Sequence, residues 1–239
     1  MSSQRVPNFL PSAQGFRFVN RFDDDAPVFT IPVPPFGDIP VGKAAGGMCG
    51  GMVFAVLDLY RAGMLPPADP DSPKAGTPLF KYIARRLLES FNGVAGVHKY
   101  LEWMRFPNDT QSFGPFKKLT SKSIAWHSIH DEWPGIKELL DNGSPCPLGL
   151  LKTESHDPRD VGKNHQVLAY GYDLNEETGD MRILVYDPNC PNENDVTLSV
   201  NIANPDNPSR ITYSADSNGR GFFRTAYDPA DPSEAVATA

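Results

Sequence analysis

Residues 52–62, MVFAVLDLYRA, restrict the fold more than any other stretch of the chain. At helical spacing they are apolar on nearly every side, with Asp58 and Arg61 the only charges. A helix of that kind has no solvent face and must be covered all round. Gly63 marks its end. Ahead of it stands GGMCGG, in which four glycines surround Cys49. Each glycine loses extra conformational entropy on folding, so the run is a costly local choice. Two explanations stay open at this point. The turn either buries a small thiol, or is built to present that thiol at the start of a central helix.

The cover has to come from the rest of the 239 residues, of which 40% are apolar and 10% aromatic, enough for a substantial core. Residues 1–15 are expected to be loosely held, with a first strand over Gly15–Phe22. The segment APVFTIPVPPFGDIPV, 26–41, holds five prolines, too many for a regular strand, and is expected to lie extended on the surface. Thr77 and Pro78 make an N-cap and first-turn pair for a second helix to about Asn92. Leu79, Phe80, Ile83, Leu87 and Phe91 share one face of it. A third helix is expected over Val97–Arg105, and a fourth over Trp133–Asp141, closed by Asn142-Gly143. Residues 107–122 read as irregular.

From Pro147 onward the pattern changes to short apolar runs. Pro147–Lys152, Asn164–Tyr172, Met181–Tyr186, Val196–Ile202, Arg210–Tyr213 and Gly221–Ala226 read as strands. The polar turn DLNEETGD makes the second and third of them an antiparallel hairpin. Helices first and antiparallel strands second give an α+β chain. A single domain is expected over 1–227, helical at about 46–142 and sheet at about 146–227, with a flexible tail at 228–239.

A thiol at a helix start sits at the positive end of the helix dipole, which lowers its pKa and favours nucleophilic attack. A cysteine nucleophile needs a base, and the base an orienting group. His165 opens the first strand of the hairpin, and Asp187 follows the last residue of the second, in YDPN. Adjacent antiparallel strands can set such residues side by side, where a carboxylate holds the imidazole in one tautomer. Taken singly, each has a plain structural explanation: a small buried thiol, a histidine at a strand end, an Asp-Pro turn starter.

A cysteine at the start of a central helix, followed by His and then Asp or Asn on successive antiparallel strands, resembles the papain-like cysteine peptidases. NHQVLAYGYD and ILVYDPN are most similar to the histidine and aspartate motifs of the bacteriocin-processing type, which cleaves double-glycine leader peptides. IKELLDNGSPCPLGLL is similar to the helix, turn and strand that precede that histidine. The resemblance covers about Gly46–Asn189. It implies a papain-like fold, with a helical half and its central buried helix packed on a C-terminal antiparallel sheet. It implies Cys49 as nucleophile, His165 as general base and acid, and Asp187 as orienting residue, with Asn189 as the alternative where an amide takes that place.

One departure stands out. The stretch VGKAAGGM lacks the Gln that helps such peptidases bind the oxyanion. That task falls to backbone N–H groups near Cys49 and Gly50, with Lys43 or the distant Asn20 as side-chain candidates. The implied substrate is a peptide or isopeptide bond in a peptide or protein, with no cofactor. The same triad would serve a cysteine-dependent acyltransferase or deamidase, and a papain-like scaffold could also bind without catalysis.

A net charge of −7 argues against a nucleic-acid or anionic-membrane surface. No run reaches the length of a membrane span, and the N-terminus lacks a secretory layout, so a cytoplasmic protein is expected. Three widely spaced cysteines make no disulfide framework. Cys146 reads as an inert core thiol, and Cys190 as a neighbour of the site that could exchange with Cys49 on oxidation. His156, Asp157, Asp160 and His165 are too irregularly spaced for a metal site, and none is expected. His127 and His130 are expected to flank a helix start, and Trp103, Trp126 and Trp133 to line the core or a cleft wall.

Overall fold

The computed structural model describes residues 1–23, 28–43, 47–113 and 119–236. In chain order it begins with β1 (Ser2–Arg5), α1 (Pro11–Gln14), β2 (Val28–Val33) and β3 (Gly37–Lys43). The helices α2 (Cys49–Arg61), α3 (Pro78–Ser90) and α4 (Gly93–Trp103) follow. Short strands β4 (Gln111–Phe113) and β5 (Leu119–Ser121) precede α5 (Ile124–His127) and α6 (Trp133–Asp141). The second half holds β6 (Cys146–Leu151), β7 (His165–Leu174), β8 (Asp180–Tyr186), β9 (Thr197–Asn201), β10 (Thr212–Tyr213), β11 (Gly221–Arg224) and α7 (Ser233–Val236). The chain mixes helices with an antiparallel sheet, as expected, but three strands precede the long helices and the first of them joins the main sheet.

The main sheet runs β10-β9-β8-β7-β6-β11 with antiparallel pairing throughout. Its centre is β7, which pairs with β6 over His165–Ala169 and with β1 over Gly171–Leu174. On the other side β8 pairs with β7 from Leu168↔Tyr186 to Leu174↔Met181, as the hairpin reading requires. Every residue of β6 is buried, so the sheet is covered on both faces there.

Helix α2 lies between α3 and β7. Gly50 through Leu59 are buried without a break, which is the full cover that the apolar pattern demands. A carboxylate survives inside that run because Asp58 is saturated. Its Oδ1 accepts from Tyr227 Oη at 2.6 Å and from the Ala230 N–H at 3.0 Å. Its Oδ2 accepts from Tyr82 Oη at 2.8 Å and faces Arg86 Nε of α3 at 2.8 Å.

Three expectations are corrected. The first residues are not loose: β1 is laddered to β7, and Val6 and Phe9 are buried. Gly15–Phe22 is no strand; Phe16, Phe18 and Phe22 follow strand spacing but pack ring on ring (4.9 and 6.2 Å between centroids) without a ladder. The proline-rich stretch is a hairpin of β2 and β3, with Pro32 opposite Asp38 and Pro40 opposite Thr30. A two-stranded ribbon leaves one side of each strand unpaired, so the missing proline N–H is tolerated. Ile31, Val33, Ile39 and Val41 bury its inner side.

A further difference concerns the tail. Residues 228–236, expected as a tail, lie against the helices: Arg86 Nη2 donates to the Asp228 carbonyl at 2.8 Å and Ala235 is buried. The buried charge on α2 and α3 thus recruits the C-terminal backbone as a partner. Residues 237–239 lie outside the described residues. Smaller differences lie at element ends. Helix α2 starts at Cys49 itself, α4 starts at Gly93, and β4 pairs with β5 in the stretch read as irregular. Among the described residues no helix is long and apolar enough to cross a membrane.

Candidate active site

Cys49 is the first residue of α2, and the turn before it is held by side chains from elsewhere. The Met48 N–H donates to Asn20 Oδ1 at 2.6 Å. Gly47 has φ +113, and a Cβ there would lie 2.4 Å from Asn20 Nδ2. On the next turn α3 approaches so closely that a Cβ on Gly51 would lie 2.1 Å from the Ile83 carbonyl oxygen. The glycines around the cysteine therefore answer to sterics: the chain must be bare where Asn20 and α3 meet it.

The hairpin of β7 and β8 brings the other residues together. His165, the first residue of β7, is 5% exposed, and Asp187, just past β8, is 1% exposed. His165 Nε2 stands 2.7 Å from Asp187 Oδ1, which leaves Nδ1 for the Cys49 sulfur. The Asn189 N–H donates to the same Oδ1 at 2.8 Å, and Tyr213 Oη donates to Oδ2. Burial alone would raise the Cys49 thiol, but the facing His165 charge and the N–H groups of Gln166 and Gly50 hold it below its ordinary value. Burial likewise favours a neutral ring on His165, yet Cys49 on one side and Asp187 on the other raise it well above the usual imidazole range. The two shifts together describe a thiolate facing an imidazolium.

Asn189 reaches the same ring in the wrong sense. A backbone N–H can only donate, so the Met48 contact fixes Asn20 Oδ1, and Asn20 Nδ2 then donates to Asn189 Oδ1 at 3.1 Å. That leaves Asn189 Nδ2, a donor, facing His165 Nε2 at 3.3 Å. The orienting acceptor for Nε2–H is Asp187. Asn20 itself lies on the wall of the site, Gly50 sits beside the sulfur, and the Lys43 side chain lies outside the described residues.

A cavity of about 270 Å³ adjoins the sulfur. Leu87, Phe91 and Tyr100 line it together with Val41 and Gly42 of β3 and Val161–Asn164. The hairpin and the 3₁₀ turn Pro158–Lys163 touch there, since a Cβ on Gly162 would sit 3.3 Å from the Pro40 carbonyl oxygen. A larger cavity, about 620 Å³, shares Ser90, Phe91 and Tyr100 with this region but reaches none of Cys49, His165 and Asp187.

The remaining candidates fall elsewhere. Cys190 does adjoin the site, but its Sγ faces Asp187 Oδ2 at 3.9 Å, and burial with that carboxylate pushes its thiol up to about 11. Burial pushes Cys146 up to about 12. Asp157 pairs with Arg159 and Asp160 with Lys163, and among the described residues no group of three His, Cys, Asp or Glu could hold a metal. His127 closes α5 and His130 lies in the π-helical turn Ser128–Glu132, both against Asp131. Trp103 and Trp133 are core residues, and no tryptophan lines the Cys49 cavity.

Sequence reasoning missed Tyr213, Tyr100, Ser90 and Gln166. Gln166 alone carried a signal, as a polar residue inside the apolar run NHQVLAYGY. Comparison of the chain with family models, curated proteins and solved structures returned no match.

Proposed function

We propose that the protein is a thiol hydrolase of papain-like architecture acting on a peptide or isopeptide bond. One arrangement carries the reading: a buried carboxylate bonded to a buried imidazole that faces a half-buried thiol, with the imidazole raised and the thiol lowered from their ordinary values. In this reading Cys49 Sγ attacks the acyl carbon and the C=O electron pair moves onto oxygen. His165 Nδ1–H protonates the leaving nitrogen, and a thioester remains on Cys49. His165 then takes a proton from water, hydroxide attacks the thioester, and the thiolate is regenerated. Asp187, itself held by Tyr213, keeps the ring in register. The Gly50 N–H and the Asn20 amide are the donors assigned to the oxyanion, where one donor is worth roughly 10²–10³ in rate.

Support also comes from the neighbouring thiols. Cys146 and Cys190 have raised values and only Cys49 is lowered, as a dedicated nucleophile requires. Iodoacetamide at neutral pH, followed by peptide mass mapping, tests the assignment. Selective labelling of Cys49 that vanishes in His165→Ala is expected. Equal, slow labelling of all three thiols would remove the hydrolase reading. Product analysis on a peptide library, with and without an added amine, then separates hydrolysis from acyl transfer.

A further inference from the structure

The strand that opens with His165 continues with Gln166, a side chain that the triad leaves unused. It is 2% exposed and lines the cavity beside Cys49. The orientation of its amide is settled by Ser90. The Ser90 hydroxyl commits its single hydrogen to the Leu87 carbonyl at 2.7 Å, so toward Gln166 it can only accept, and Nε2 faces it at 3.1 Å. Oε1 is thereby turned away. It is buried and has no hydrogen-bond partner among the described residues. The other buried side-chain atoms in that state belong to Ser2, Arg86, Trp126 and Tyr186, none of which lines this cavity.

The amide also lies hard against the nucleophile's turn. A Cβ on Gly50 would sit 2.8 Å from Gln166 Cδ and 2.3 Å from Ser90 Oγ. The residue after Cys49 is therefore bare so that this carboxamide can fit. A buried acceptor without a partner is costly, and such groups persist in native proteins where something else completes them. Among the described residues no Asp or Glu lines the cavity to balance a cationic donor, and Lys152 and Lys163 at its wall are already paired with Asp216 and Asp160.

We propose that Gln166 is a specificity-determining residue, whose Oε1 receives an uncharged N–H or O–H donor carried by the acyl part of the substrate next to the scissile carbonyl. The substrate class is then a peptide with Asn, Gln, Ser or Thr at one of the two residues before the cleaved bond. This inference rests on the hydrolase reading.

The test uses matched pairs of peptidyl aminomethylcoumarin amides, Asn against Leu and Thr against Val, at each of those two positions. The full-length protein should favour the donor-bearing member by roughly 5- to 150-fold in kcat/KM at one position, the range a buried hydrogen bond supplies. In Gln166→Met that ratio should fall to about one, and Tm should rise because an unmet buried acceptor is gone. Equal rates for both members in the unaltered protein would overturn the proposal, as would a preference that survives in Gln166→Met or a marked fall in its Tm. Iodoacetamide labelling of Cys49 on the same sample tells the two readings apart. Labelled protein that cleaves both members alike refutes the role of Gln166 alone, whereas unlabelled, inactive protein removes the hydrolase reading and this inference with it.

Discussion

Helix α2 carries two buried charged clusters, and they are built on opposite plans. Near its C-terminal end Asp58 is saturated by Tyr82, Tyr227, the Ala230 N–H and Arg86, all within 3.0 Å. At its first residue Cys49 faces an imidazole that stands between two acids, beside a cavity of about 270 Å³. The first cluster ties α2, α3 and the C-terminal segment together, and its protons have nowhere to go. The second leaves one acceptor unmet and one proton shared between partners. Buried charge acts as a rivet where fixed partners hold it; on the proposed reading it becomes chemistry where a proton can leave and a substrate can enter.

Five measurements sharpen or break that contrast. Cys49→Ala should lower acyl-transfer turnover by ~10⁴-fold or more, measured on cleaved peptide, while the protein stays folded. If its Tm fell as far as that of Asp58→Ala, the site would be a rivet too. Asp58→Ala removes the buried carboxylate of Arg86, leaving it only the half-exposed Glu89 and the Asp228 carbonyl, and should cost about 3–5 kcal/mol in urea unfolding. Its folded fraction should still label at Cys49. A loss below 1 kcal/mol would show that the cluster ties nothing together.

Gly51→Ala drives a methyl into the Ile83 carbonyl and should cost about 1–3 kcal/mol by overpacking, again read from urea unfolding. Tyr213→Phe removes one donor from Asp187 and should slow turnover about tenfold without moving the urea midpoint far. The pH dependence is the mildest probe. A lowered Cys49 value means that its thiolate forms below the ordinary thiol range, so its labelling should set in at lower pH than that of Cys146 and Cys190. The raised His165 value means that the imidazolium persists above neutrality, and turnover should fall only as pH climbs through that raised value. Cys146 and Cys190 should stay unlabelled until pH approaches their values of about 12 and about 11.

Much of the fold was legible where a residue's neighbours in sequence are also its neighbours in space. Trp133–Asp141 matches α6 at both ends, and Thr77 caps α3 by accepting from the Phe80 N–H. The hairpin of β7 and β8 could be read because one polar turn separates two apolar runs, and it carries His165 and Asp187 with it. The proline-rich hairpin was misread because edge tolerance for proline depends on what lies beside the strand. The C-terminal segment was misread because its partners, Asp58 and Arg86, stand far away in the chain. Tyr213 was invisible for the same reason: nothing near it in sequence points to Asp187.

Composition and periodicity were enough to place an all-round apolar helix at the centre, helices before sheet, and one cysteine, one histidine and one aspartate at the ends of elements that must meet. Those conclusions follow from which side chains share a face, and the backbone period alone decides that. Which hydrogen goes to which acceptor was decided only in three dimensions. The Met48 N–H fixes Asn20, Asn20 fixes Asn189, and so Asp187 rather than Asn189 orients the ring. Ser90 likewise fixes the Gln166 amide and leaves its oxygen unmet. Donor direction passes along contacts between residues distant in the chain, and only the closed fold brings those contacts together.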